Sequence, residues 1–117
     1  MSVLQIISAH TLRDRLAADA VPEFWNVLTD DYFSGAMIPG SRRVPVDTVG
    51  REVAQRGLAR DTAIVVYCSG PSCPQSRAAA EKLVTLGFTR VQLFEGGIEA
   101  WRDARLPLEQ LVPAVTA

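Results

Sequence analysis

Residues 63–67 (AIVVY) form a continuous apolar run bounded by polar residues, the pattern of a strand buried on both faces at the centre of a parallel sheet. After a small polar loop, Ala79, Leu83 and Leu86, with Ala80 and Val84, make one apolar stripe opposite Arg77, Glu81 and Lys82. That spacing predicts an amphipathic helix whose alanines permit close approach to a sheet. Gly87 stands where a left-handed residue would end it, and Phe88 is placed to fold back on Leu83 in a Schellman cap.

The same alternation of periods runs through the rest of the chain. Residues 3–7 read as a short strand, and Ser8 caps a helix with Ala9, Leu12 and Leu16 on one face. Residues 23–28 (EFWNVL) are aromatic and β-branched, hence strand-like, and Thr29 or Asp30 is placed to cap a helical turn through Tyr32 and Phe33. Residues 38–41 (IPGS) signal a turn, residues 44–46 a further strand, and Asp47 the cap of a weakly patterned helix through Arg56. Residues 91–94 predict another strand, Gly96 and Gly97 break it, and residues 98–104 predict a last short helix before Pro107. Strands alternating with helices imply an α/β fold: a mostly parallel sheet of five strands with right-handed crossovers and helices on both faces.

Length and composition narrow the reading without changing it. The 117 residues, 48% of them apolar, suit a single domain, with a core over residues 3–111 and an expendable tail at 112–117. A net charge of −1 from scattered charges argues against nucleic acid or lipid headgroups as partners. The N-terminus lacks a basic segment ahead of a secretory-length apolar run, and no run is long enough to span a bilayer, so a cytoplasmic location is expected. In that reducing compartment Cys68 and Cys73 point to reactivity or chance more than to a structural bridge.

Both cysteines fall in the loop between the central strand and its helix. Ligands of parallel sheets bind at the carboxyl ends of strands, and Cys68 stands at that edge. Ser69, Gly70, Pro71 and Ser72 are small and turn-forming, while Pro74 fits the first turn of the helix. Loop N–H groups and the helix dipole should then hold Cys68 as a thiolate, well below the value of about 8.5 of a free thiol. The plain alternative for Cys68 is a small hydrophobe ending a buried strand, and for Cys73 a residue packed near the helix start.

These residues carry a resemblance. IVVYC (64–68) resembles the strand that delivers the catalytic cysteine of rhodanese-like domains; SRAAAEKLVTLGF (76–88) resembles the helix that follows it. FEGGIEAW (94–101) is similar to the family's late glycine pair and tryptophan, and AMIPGS (36–41) to its turn after the first catalytic-side strand. The resemblance spans nearly the whole chain and implies a single rhodanese-like domain acting as a sulfurtransferase or persulfide carrier. It implies that the Cys68 thiolate takes a sulfane sulfur from a persulfide, polysulfide or thiosulfate and passes it to a small or protein thiol, with no metal or organic cofactor. The N–H groups of the loop through Cys73, Pro71 excepted, would stabilise the charge on the bound sulfur. Cys73 is a candidate second thiol.

The chain departs from the family pattern at Asn26 and Leu28, where aspartate and arginine are usual, and at Met37, where histidine is usual. Its loop is longer than the common form and carries no Arg or Lys between Cys68 and Gln75, which disfavours thiosulfate. Arg77 is the candidate anion contact, with an i, i+4 pair to Glu81 as the alternative. Phosphate ester chemistry is disfavoured, because Pro74 occupies the place of the arginine that the related phosphatases and arsenate reductases use. A dithiol redox or sensor protein using Cys68 and Cys73, and a non-catalytic binding module, stay open. His10 reads as a surface residue, Trp25 and Trp101 as packing, and Asp30 and Asp31 as cap and surface. Two cysteines and one histidine do not make a zinc site.

Overall fold

The apolar run became the middle of the sheet. Ile64–Tyr67 (β5) is flanked by Val91–Phe94 (β6) and Glu23–Asn26 (β2), with Leu4–Ile6 (β1) outside β6 and Arg42–Arg43 (β4) outside β2. Every pairing among these five strands is parallel. The structure, a computed structural model, describes residues 4–110; Val3 of the first expected strand and the tail at 112–117 lie outside them.

Side chains leave the strands alternately to two faces, each covered by helices. Trp25, Ile64, Val66, Val91 and Leu93 meet Val49 and Val53 of Val49–Arg56 (α2) and Ala79, Ala80 and Leu83 of Gln75–Thr85 (α3). On the other face Phe24, Val65, Tyr67 and Phe94 meet Leu12 of Ala9–Ala17 (α1) and Ile98 and Trp101 of Gly97–Asp103 (α4). The α/β fold with helices on both faces is therefore as expected. No helix among the described residues is long and apolar enough to cross a membrane.

Several boundaries moved. The strand expected at 44–46 ends at Arg43: the Val44 and Val46 N–H groups still donate to Asn26 and Val27 carbonyls at 3.0 and 2.9 Å, but Pro45 between them has no N–H. Asp47 does not cap α2. It lies inside a 3₁₀ turn, Val46–Thr48, and Thr48 precedes the helix with its hydroxyl donating to the Pro45 carbonyl at 2.8 Å. The segment after Leu28 forms only hydrogen-bonded turns, Tyr32 N–H to Thr29 O and Phe33 N–H to Asp30 O, in place of a helical turn. An unforeseen pair, Ala36–Met37 (β3) with Glu109–Gln110 (β7), runs antiparallel beside the main sheet. Two-residue strands carry too little pattern to be read.

Ser8 caps α1, its Oγ accepting from Thr11 N–H at 3.2 Å. The Schellman cap of α3 is complete: Phe88 N–H donates to Leu83 O and Gly87 N–H to Val84 O, both at 3.0 Å. The same bonds close α4 around Arg105, whose φ of +61° places a side-chain-bearing residue where glycine is favoured. Arg105→Gly should therefore raise stability by about 0.5–1 kcal/mol, read as a higher urea midpoint with unchanged slope.

At the opposite end of β2, Glu23 is 9% exposed and accepts from both terminal nitrogens of Arg56 at 2.8 Å and from Trp25 Nε1 at 2.9 Å. Burial opposes its charge, but the Arg56 and Trp25 hydrogen bonds and the charges of Arg56 and Arg42 outweigh it and hold the carboxyl below its usual 4.5. The unfolded chain thus binds this proton first as the solution is acidified. Stability from this pair is complete above pH 4.5 and falls as pH drops through the lower folded value. Urea midpoints between pH 7 and 3 should decline less steeply in Glu23→Gln than in the parent; equal slopes would remove the pair as a cause.

Candidate active site

β5 ends at Tyr67, and the next two residues turn their carbonyls toward α4. Ile98 N–H donates to Cys68 O at 3.1 Å and Glu99 N–H to Ser69 O at 2.9 Å, which satisfies N–H groups of the helix start that have no partner within the helix. Gly97 makes this approach available. Its φ is +59°, and a Cβ there would overlap the Cys68 carbonyl oxygen and come within 2.8 Å of Gly70 N. Gly70 O then accepts from Cys73 N–H at 3.1 Å, so residues 70–73 form a turn with Pro71 and Ser72 at its exposed tip. Pro74 sits just before α3 and its carbonyl accepts the Ala78 N–H at 3.0 Å.

The two sulfurs have different surroundings. Cys68 is 0% exposed, packed within the α1/α4-side core. Its thiol donates to Ser76 Oγ at 3.2 Å and lies 3.5 Å from the Cys73 carbonyl oxygen. Burial, reinforced by the neighbouring Cys73 sulfur, pushes the Cys68 thiol above the ordinary value of 9.0, and the Ser76 hydroxyl and N–H only partly offset this. The expectation of an acidic Cys68 is thus reversed in the resting protein.

Cys73 is partly exposed. Burial again opposes its charge, but the neighbouring Cys68 thiol, the Gln75 and Ser69 N–H groups and the Ser69 hydroxyl together bring it below 9.0. The nest of donors expected around the first sulfur surrounds the second. Cys73's own N–H, counted among those donors from sequence, is used in the turn to Gly70.

An open depression of about 500 Å³ reaches Cys73. Ser69, Ser72 and Gln75 accompany Cys73 along it, and Leu28, Tyr32 and Pro74 form apolar walls, Tyr32 being 70% exposed. None of these lining residues is cationic. Arg77 does not serve it. The Arg77 guanidinium donates to Glu95 Oε2 at 2.7 Å, an exposed pair across to the end of β6, and so takes neither of its expected roles, anion contact or partner of Glu81. A second depression, of about 400 Å³, carries Arg15 and Arg90 but lies at the opposite end of the strands, beside Ala63 and Val91.

The three departures from the family pattern are accommodated around Arg43, which sequence reasoning missed. Asn26 Oδ1 accepts from Leu28 N–H and Arg43 at 3.1 Å each, and Asn26 Nδ2 donates to Ala36 O at 3.3 Å and to Met37 Sδ at 3.4 Å. Arg43 also donates to the Leu28 carbonyl and to Asp30 Oδ1, and stacks on Phe33 with its guanidinium carbon 4.0 Å from the ring centre. Asp30 is therefore an ion-pair partner. Gln75 ties α3 to this segment, accepting from Thr29 N–H at 3.0 Å and donating to Thr29 Oγ1 at 2.9 Å. Ser76, the partner of the Cys68 thiol, was also missed; its place two residues past the Pro74 start signal gave the only clue. Trp25 and Trp101 are packed in the core, and His10 is exposed, as read.

A family model described as a rhodanese-like domain matches residues 8–104. The chain belongs to the rhodanese-like family. This rhodanese-like domain is 28% identical over 102 residues, 87% of its length and 92% of the relative's, to a protein of Allochromatium vinosum named sulfurtransferase. It is similar in structure to a thiosulfate sulfurtransferase from Pseudomonas aeruginosa, with TM-score 0.79 and 30% identity over 92% of this chain and 20% of that one. A protein from Bacillus halodurans matches with TM-score 0.78 and 26% identity, covering 91% of this chain and 77% of its own.

Because Gly97 holds α4 against the loop, Gly97→Ala should destabilise the rhodanese-like domain by about 2–4 kcal/mol, the sum of left-handed strain and overpacking. Urea unfolding measures this; a change within about 0.5 kcal/mol, typical of a neutral surface site, would show that the loop yields freely.

Proposed function

We propose that this rhodanese-like domain is a sulfurtransferase that carries a sulfane sulfur as a persulfide on Cys68. The observation that supports it most is the position of Cys68: the first residue after the central strand of a family member, at the base of its loop, with its thiol hydrogen-bonded to the Ser76 hydroxyl at 3.2 Å. The name of the Allochromatium vinosum relative agrees with that chemistry. A Cys68 thiolate attacks the outer sulfur of a persulfide, the Cys68–sulfur bond forms, the donor S–S bond breaks, and the donor leaves as a thiolate that takes up a proton. A thiol acceptor then repeats the displacement on the Cys68 persulfide. The sulfane sulfur keeps its oxidation state, so no metal or organic cofactor is needed.

The uncharged lining of the depression favours polysulfide or persulfide donors over thiosulfate, a dianion that would meet no charge-assisted donor there. A cytoplasmic setting, with small or protein thiols as acceptors, fits this chemistry. Proximity of the two sulfurs supports a second reading, a dithiol redox protein in which an oxidant converts Cys68 and Cys73 to a disulfide.

Steady-state transfer from inorganic polysulfide to glutathione, with peptide mapping of the loaded protein, separates the two. Sulfur should reside on Cys68 at equilibrium, and Cys68→Ser should lose transfer by about a hundredfold or more, the scale of losing a nucleophile. Thiosulfate should load the protein at least about tenfold more slowly than polysulfide, one charge-assisted contact's worth. Undiminished transfer by Cys68→Ser would sink the proposal.

A further inference from the structure

The sulfur assigned the persulfide is not the one that lies open to solvent in the resting protein. Cys68 is 0% exposed and does not line the depression, whereas Cys73 is partly exposed and does. The Cys68 sulfur lies 3.5 Å from the Cys73 carbonyl oxygen, so the two thiols are near neighbours across the loop. We propose that Cys73 is a catalytic residue, the outer thiol that takes the sulfur from the donor and relays it inward to Cys68. This deepens the sulfurtransferase reading and rests on it.

In the first step the Cys73 thiolate attacks the outer sulfur of a donor R–S–SH. The Cys73–sulfur bond forms, the donor S–S bond breaks, and RS⁻ leaves and is protonated by solvent. In the second, Cys68 attacks the terminal sulfur of the Cys73 persulfide, so that the Cys68–sulfur bond forms as the Cys73–sulfur bond breaks. The proton of the Cys68 thiol ends on Cys73, and no electrons are gained or lost overall.

Three features of the site suit this order. The Ser69 and Gln75 N–H groups and the Ser69 hydroxyl converge on Cys73, where they favour the attacking anion and, in the second step, the departing one. The more acidic thiol of a pair is also the better leaving group, which directs the sulfur from Cys73 to Cys68. The apolar walls of Leu28, Tyr32 and Pro74 fit a donor of low charge, such as an organic persulfide or a short polysulfide.

Rapid mixing of the full chain with inorganic polysulfide, followed by alkylating quench and fragmentation of the peptide that holds both cysteines, follows the sulfur in time. In the parent protein it should be found first on Cys73 and later on Cys68. Cys68→Ser should hold it on Cys73, and Cys73→Ser and Cys73→Ala should load Cys68 at least about tenfold more slowly while unfolding in urea at the parent's midpoint. A purely structural role for Cys73 would not produce the early Cys73 persulfide. Loading of Cys68 at the parent rate in both Cys73 variants would overturn the relay and leave the sulfurtransferase reading standing. Release of hydrosulfide with a Cys68–Cys73 disulfide would overturn the relay in favour of dithiol chemistry. Absence of sulfur from Cys68 in every protein would remove the underlying reading as well.

Discussion

Two hydrogen bonds between the first turn of α4 and the end of β5, Ile98 N–H to Cys68 O and Glu99 N–H to Ser69 O, govern the orientation of the loop. In a trans peptide the carbonyl and the next N–H point in opposite directions, and no cis peptide is present among the described residues. Directing the Cys68 carbonyl at α4 therefore sends the Ser69 N–H the other way, on the side from which it lowers the Cys73 pKa. Only glycine at position 97 lets the helix come this close. The electrostatics of the site thus originate in a packing contact between a helix and a loop.

That contact gives two neighbouring thiols opposite characters. Cys68 is surrounded by core side chains and is held neutral by desolvation, with Ser76 as its polar partner. Cys73, five residues on in sequence, collects the loop donors and opens to solvent. Burial raises the pKa of a sulfur and shields it, whereas a partly exposed sulfur among N–H groups is more acidic and accessible.

The surroundings of the loop are held by a network that differs from the family's usual ion pair. Asn26 accepts the Leu28 N–H and Arg43, and Arg43 spans the Asn26 and Leu28 carbonyls and Asp30 while covering Phe33. A cation from the edge strand β4 thus takes over part of what a neighbouring aspartate and arginine on β2 would do. Its multiple donors in a planar fork suit it to bridging several carbonyls at once. The Gln75 amide adds a second tie, from the start of α3 to Thr29.

The amino-acid pattern alone determined the α/β class, the central strand, the Ser8 cap, the Schellman end of α3 and the placing of both cysteines in one strand-to-helix loop. These are local matters: apolar period, caps and turn residues act over a few neighbours and leave a mark in the chain itself. The two-residue strands β3, β4 and β7 escaped, because their pairing comes from partners distant in sequence, and Pro45 shifted one of them. Which sulfur receives the donors, whether Arg77 turns to Glu81 or Glu95, and how Arg43 serves Asn26 were decided only in the folded protein. Each depends on the direction of a peptide plane or a long side chain relative to an element many residues away. The sequence could show that N–H groups would gather in this loop, but only the docking of α4 on the Cys68 and Ser69 carbonyls fixed where they point.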